Sequence, residues 1–136
     1  MKIKLIDYGY TNTPYRAHYS DAGSDVYTLD DITIGPNKTY KVPLGFGIAL
    51  PDGLAAWVVP RSGHASRGIV TELAPIDSGY IGEIHAIVSN LNDHEIKLEK
   101  NTRIAQLVIT PIIIADYVDE VGEERGPNGF GSTKEK

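Results

Sequence analysis

Apolar and polar positions alternate in short runs along most of this chain, and the runs are too brief for helices. Lys2 to Ile6 reads K-I-K-L-I, a two-residue period that predicts a first strand. Ile32 to Ile34 predicts another, stopped by Gly35-Pro36. Tyr40 to Pro43, Phe46 to Leu50 and Leu54 to Val59 predict three more, with Gly45, Gly47, Pro51, Asp52 and Gly53 as punctuation between them. Ile69 to Thr71 leads into a predicted hairpin, Ala74 to Ile84. Glu83 to Ser89 leaves that hairpin, and Glu95 to Leu98 follows after a turn. Arg103 to Thr110 is apolar enough for a strand covered on both faces, and Ile112 to Tyr117 predicts a last strand. Short strands with turn signals about every 8–12 residues predict an all-β sandwich, jelly roll or barrel. Trp57, inside A-A-W-V-V, reads as a core residue. The period is lost after residue 118, so the chain divides into one β domain, 1–118, and an arm, 119–136.

Composition narrows the setting. At 136 residues the chain can build one domain that buries roughly two-thirds of its unfolded surface. It has no cysteine, which excludes disulfides, thiolate zinc sites and a cysteine nucleophile. No apolar run reaches the roughly 18 residues a membrane helix needs, and the start alternates like a strand rather than a signal peptide. A cytoplasmic protein is expected. The net charge of −5 argues against direct binding of duplex nucleic acid. A phosphate-rich ligand would then need local cations, and Mg²⁺ with it.

Several stretches carry candidate chemistry. Asp77 and Tyr80 sit in P-I-D-S-G-Y, bounded by predicted strands. A carboxylate held there can act as a general base, or the segment can be a plain solvated turn. Asp21 reads as a turn cap, whereas Asp25 stands just inside an alternating run. Pro60 to Gly68, P-R-S-G-H-A-S-R-G, is either an ordinary strand-to-turn junction or an anion seat built from Arg61, Ser62 and the amides around Gly63. Gln106 is an amide in an otherwise apolar strand, so it needs a partner or a ligand. His18, His64, His85 and His94 have no metal-ligand spacing. Near the end, Gly126 and Gly131 have the spacing of a phosphate loop, but Ser132 stands where its Lys belongs and no helix follows. That tail is expected to be disordered in the free protein. It still combines Arg125, Phe130, Ser132 and Thr133 among glycines, the makings of a lid over a nucleotide.

Taken together, D-A-G-S-D (21–25), P-R-S-G-H-A (60–65), P-I-D-S-G-Y-I-G-E-I (75–84), R-I-A-Q-L-V (103–108) and R-G-P-N-G-F-G-S-T (125–133) resemble the five motifs of the trimeric deoxyuridine triphosphatases (dUTPases), in order. The short form is similar to phage and bacterial members. The resemblance implies a β jelly roll and a homotrimer with active sites between subunits. It implies hydrolysis of dUTP to dUMP and pyrophosphate with Mg²⁺, which keeps uracil out of DNA. Carried over, Asp77 would be the general base and Tyr80 would exclude a ribose 2′-hydroxyl. Ser62 and Gln106 would bind phosphate oxygens, with Arg61 bracing carboxylates and Asp25 holding the metal through water. The backbone from Gly68 to Tyr80, with Gly63, Thr71 and Ile76 in the same substrate site, would read uracil. From the tail, Arg125 would grip the terminal phosphate and Phe130 would stack on uracil. Gly131, Ser132 and Thr133 would complete the phosphate contacts. The chain departs from the common pattern at Ser24, His64, Gly79 and Asn101, the last replacing a glycine. The arm 71–75 also looks short and lacks the usual uracil-facing Asn.

Two rivals stand beside this reading. A dCTP deaminase-related enzyme would need a proton-carrying Glu near the base, for which Glu72 is the candidate. A trimeric, nucleotide-switched regulator would bind a repressor-type protein partner, and the Tyr-rich stretch Tyr8 to Tyr19 would offer it a surface.

Overall fold

The structure is a computed structural model that describes residues 1–120. Strands β1 (Lys4–Asp7), β2 (Ser24–Tyr27), β3 (Ile32–Ile34), β4 (Thr39–Pro43), β5 (Phe46–Ala49) and β6 (Leu54–Val59) precede a one-turn helix, α1 (Ser62–Ala65). Strands β7 (Ile69–Thr71), β8 (Ala74–Ile76), β9 (His85–Asn90), β10 (Ile96–Leu98) and β11 (Arg103–Pro111) follow it. They pair antiparallel in four small sheets: β1–β5, β3–β10, β4–β9–β7 and β2–β11–β6–β8. The sheets close on one core as a β jelly roll. Among the described residues no helix is long and apolar enough to cross a membrane.

The two-residue period does the sorting. In β9, Ala86, Val88 and Asn90 point inward while their neighbours are only half-buried. In β3, Ile32 and Ile34 are buried and Thr33 is exposed. Phe46, Leu44, Ile34, Ile84 and Ile104 form the centre of the core. Each such side chain contributes about 1.5–3 kcal/mol by leaving water. The buried amide of Asn90 is fully partnered. Its Nδ2 donates to the carbonyls of Ile34, Gly35 and His94 at 3.0, 3.1 and 2.8 Å. Its Oδ1 accepts from the Asn92 amide at 2.9 Å.

Three expectations are corrected. Trp57 is half-buried rather than in the core, and its indole N–H donates to Thr110 Oγ1 at 2.8 Å across the β6–β11 pair. Ala74 to Ile84 is not a two-armed hairpin, because β8 pairs with β6 while β9 pairs with β4 and β7. Pro75 lacks an N–H and is tolerated only on an edge strand, and β8 is the edge of its sheet. The predicted last strand, Ile112 to Tyr117, has no partner strand among the described residues. After Pro111, one backbone bond remains, from Ile112 N to Gly53 O at 3.0 Å. Beyond it Ile113, Ile114 and Tyr117 are 89, 77 and 93% exposed.

Candidate active site

Asp25 lies on β2 directly opposite Gln106 of β11. Arg61 Nε is 3.6 Å from its Oδ1 and Arg103 Nη1 is 3.7 Å from its Oδ2. These are loose ion pairs with half-exposed arginines, so their contribution to stability is small. They set two guanidinium groups beside one carboxylate at the edge of the sheet. Asp21, Gly23, Asp25, Arg61, Arg103 and Gln106 line a hollow of about 290 Å³ there, two carboxylates facing two guanidinium groups. Gln106 donates and accepts no side-chain hydrogen bond among the described residues, and its amide faces that hollow. A Cβ on Gly23 would stand 2.8 Å from Gln106 Oε1 and 3.1 Å from Val108 Cγ2, so a larger residue there would displace the Gln106 amide.

Arg103 is the site residue that the sequence reading passed over. Strict alternation would send its side chain away from that of Gln106. The β2–β11 register shifts between Arg103 and Ala105, so Ile104 and Ala105 are both buried and Arg103 comes round to the Gln106 side. Just beforehand Asn101 adopts φ 65°, a left-handed conformation that Asn tolerates where the resembled pattern has glycine. Its Oδ1 also accepts from Thr11 Oγ1 and Asn12 Nδ2, at 3.1 and 3.0 Å.

Helix α1 sits at the rim of this hollow. His64 is its buried residue, 8% exposed. The ring lies between two partners: Nε2 is 3.0 Å from the Arg103 carbonyl and Nδ1 is 3.0 Å from Arg67 Nη2. A guanidinium only donates, so Nδ1 accepts and Nε2–H donates to the carbonyl. The ring is therefore neutral. Burial lowers its pKa from 6.5, and the charges of Arg67 and Arg61 lower it further against the opposing pull of the carbonyl. Arg61 Nη1 donates to the same Arg103 carbonyl at 3.2 Å.

Asp77 lies elsewhere, exposed at the turn after β8. Its own carbonyl accepts from Tyr80 N at 3.0 Å, and Ser78 Oγ donates to Asp52 Oδ1 at 3.0 Å, which pins the turn from both sides. The Asp77 carboxylate makes no hydrogen bond among the described residues. Tyr80 is clamped: its hydroxyl donates to the Glu83 carbonyl at 2.6 Å, and its ring lies over Gly82. Ile76, Tyr80, Glu72, Glu83 and His85 border a second hollow of about 140 Å³. Thr71 is buried in β7 opposite Val88.

The predicted site residues thus form two groups. Asp25, Arg61 and Gln106 gather around one hollow, and Ile76 and Tyr80 border the other, with Asp77 exposed on the turn between them. Asp25 on β2 and Ile76 on β8 stand at opposite edges of one sheet, ordered β2–β11–β6–β8. Three inter-strand steps of about 4.8 Å, plus an offset of three residues between Val59 and Ala56 on β6, separate the groups by roughly 17 Å. One chain does not bring them together. Arg125, Phe130, Gly131, Ser132 and Thr133 lie outside the described residues.

A dUTPase family model matches residues 10–134. The deoxyuridine 5'-triphosphate nucleotidohydrolase of Clostridium novyi (strain NT) is 40% identical over 126 residues, covering 88% of this chain and 89% of that protein. That of Thermobifida fusca (strain YX) is 44% identical over 127 residues, covering 88% and 71%. Among solved structures, the dUTPase of Staphylococcus bacteriophage 80alpha with dUpNHpp is similar at TM-score 0.81 and 25% identity, covering 97% of this chain and 98% of that one. A dUTPase from phage phi11 of S. aureus, described for its coordination of a structural Mg(II) ion, has TM-score 0.81 at 20% identity, covering 90% and 98%. The class these proteins share with this chain is an all-β jelly roll. The chain belongs to the dUTPase family.

Proposed function

We infer that this chain is a dUTP nucleotidohydrolase that cleaves dUTP to dUMP and pyrophosphate. The observation that supports this best is the Asp77 carboxylate, fixed by a doubly pinned turn beside a clamped aromatic ring and left without a protein partner among the described residues. Asp77 takes a proton from a water whose oxygen attacks the α-phosphorus. The bond from that phosphorus to the bridging oxygen breaks, and pyrophosphate leaves with the electron pair. Tyr80 lies against the deoxyribose and refuses a 2′-hydroxyl. Ser62 and Gln106 face the phosphate oxygens, Arg61 braces the Asp25 carboxylate beside them, and in the tail Arg125, Phe130, Gly131, Ser132 and Thr133 cover the nucleotide.

The donor set fits a magnesium ion that arrives on the triphosphate. Among the described residues no three His, Asp or Glu side chains converge into a cage. Mg²⁺ habitually keeps several waters and takes one or two carboxylates plus substrate phosphates. Asp25, its oxygens flanked by two arginines, would hold such an ion through water. The ion supplies neutralisation of charge on the phosphates.

The roughly 17 Å between the two groups supports a homotrimer in which each site draws Asp77 from one subunit and Asp25, Arg61 and Gln106 from a neighbour. The exposed apolar run Ile113, Ile114, Tyr117 and Val118 supports the same reading, since such surface is normally covered by a partner. A repressor-type protein partner is the second reading, resting on Tyr15 and Tyr19, which are 51 and 100% exposed.

The test is pyrophosphate release with Mg²⁺ from dUTP, dCTP, dTTP and UTP in parallel, for wild type and Asp77→Asn. Release from dUTP alone, reduced about 10²–10⁴-fold in the variant, is the expected result. Equal turnover by the variant would remove Asp77 from the mechanism. Binding without release from any nucleotide would move the regulator reading to the front.

A further inference from the structure

Among the described residues His64 is the one buried titratable group that the proposed chemistry leaves unused, and both its ring nitrogens are engaged beside the arginine-flanked hollow. A single carbonyl, that of Arg103, accepts from both His64 Nε2 and Arg61 Nη1. Arg61 and Arg103 are in turn the two cations that flank Asp25. Helix α1 has no side-chain cap and only one turn, so its backbone alone does little to fix it against β11. The ring provides that tie.

We propose that His64 is a positioning residue, which through the Arg103 carbonyl and the Arg67 guanidinium fixes where Arg61 and Arg103 stand around Asp25. The proposal rests on the dUTPase reading for its catalytic consequence, but its geometry is independent of it. The tie works in one protonation state alone. A proton on Nδ1 would turn an acceptor into a donor facing Arg67, and would add a third charge between Arg67 and Arg61. The charged groups around the ring are Arg61 and Arg67 on either flank of α1, Arg103 on β11, and Asp25 on β2 beyond the two arginines. Strand β7, the remaining neighbour of α1, is Ile-Val-Thr and offers no compensating carboxylate. The resulting imidazolium would leave its seat, and Arg61 would lose its neighbour on the shared carbonyl.

A ring that merely filled space would behave differently, and two measurements on the full chain separate the cases. Long-range ¹H–¹⁵N correlation spectra of the imidazoles from pH 5 to 8 are expected to show His64 with its proton on Nε2 and a midpoint below 6.5. A proton on Nδ1 at neutral pH overturns the proposal. The kcat and KM for dUTP with Mg²⁺ are then followed over the same range in wild type and His64→Gln, whose amide keeps the donor but does not titrate. The ratio of variant to wild-type kcat is expected to rise by up to about tenfold per pH unit below the midpoint, the signature of one proton. A flat ratio overturns the proposal. Should His64→Gln fail to fold, Arg67→Gln serves: removing the cation is expected to raise the His64 midpoint and carry the acid limb of kcat up with it. A midpoint that moves while the limb stays also overturns the idea. Absence of hydrolysis in the wild type at every pH would defeat the enzyme reading instead, with the ring's tautomer still deciding the geometry.

Discussion

Placing a single methyl group under Tyr80 probes how the fold holds the ring. A Cβ at position 82 would stand 2.7 Å from the Tyr80 hydroxyl, 2.8 Å from Cζ and 3.0 Å from Cε1. Ordinary contacts lie near 3.5–4.0 Å, so in Gly82→Ala the ring must move by about 1 Å. It has somewhere to go, because it is 46% exposed. Swinging outward breaks the 2.6 Å bond to the Glu83 carbonyl and little else. That bond is worth about 0.5–1.5 kcal/mol, a fall of a few degrees in Tm for a domain of this size. The catalytic effect should be much larger than the stability effect. In the proposed site, a ring displaced by about 1 Å would no longer bar a 2′-hydroxyl, and misplacements of that size cost about 10²-fold in well-aligned reactions. The kcat/KM ratio of dUTP to UTP is therefore expected to fall at least tenfold, with Tm changed by only a few degrees. Pyrophosphate release from both nucleotides, alongside a thermal melt, makes the comparison. A ratio within twofold of wild type would refute the clamp, and a loss above about 4 kcal/mol would show that the ring cannot swing.

Three further outcomes follow from the structure. Asn90→Leu strips three carbonyls of their buried donor and should cost about 3 kcal/mol or more, read as a lowered urea midpoint at unchanged slope. The native His64 resists a proton that the unfolded chain accepts, so its contribution to stability is complete above pH 6.5 and is lost as pH falls through its lowered pKa. Melts from pH 5 to 8 should show that loss in wild type and not in His64→Gln. Asp25→Asn and Asp77→Asn chains, each inactive alone, should regain roughly a quarter of wild-type turnover when refolded together one to one, because a site shared between copies then meets both intact carboxylates by chance. No recovery would place both groups in one chain's site.

Strand positions were legible because an antiparallel sheet covered on one side writes its period directly into the sequence, as in I-T-I at 32–34. Partners were not, since pairing depends on contacts far apart in the chain. The run A-P-I at 74–76 looks the same whether its neighbour is β9 or β6, and only Pro75 hinted at an edge. Ile112 to Tyr117 has the composition of a strand but no partner strand in the described chain, so composition alone misled. Arg103 was hidden for a different reason. A bulge adds one residue and reverses the facing of everything before it, and nothing in R-I-A-Q announces one. Asn101 was the available signal, a residue suited to a left-handed turn immediately ahead of the strand.

The motifs were readable one by one, yet their meeting point was not, because that depends on sheet order rather than on sequence order. The segments 21–25 and 103–108 are remote in the chain but adjacent as β2 and β11. The segments 60–65 and 75–84 are close in the chain, yet β8 stands at the far edge of that sheet. The exposed apolar run after Pro111 and the two half-sites are then consequences of one arrangement. Each chain presents an uncovered apolar segment and, toward the two edges of one sheet, the two groups of proposed site residues. In the proposed trimer, association covers the first and completes the second. Hydrolysis would thereby be confined to the assembled form, since the isolated chain keeps the proposed base and the arginine-flanked hollow too far apart to act on one triphosphate.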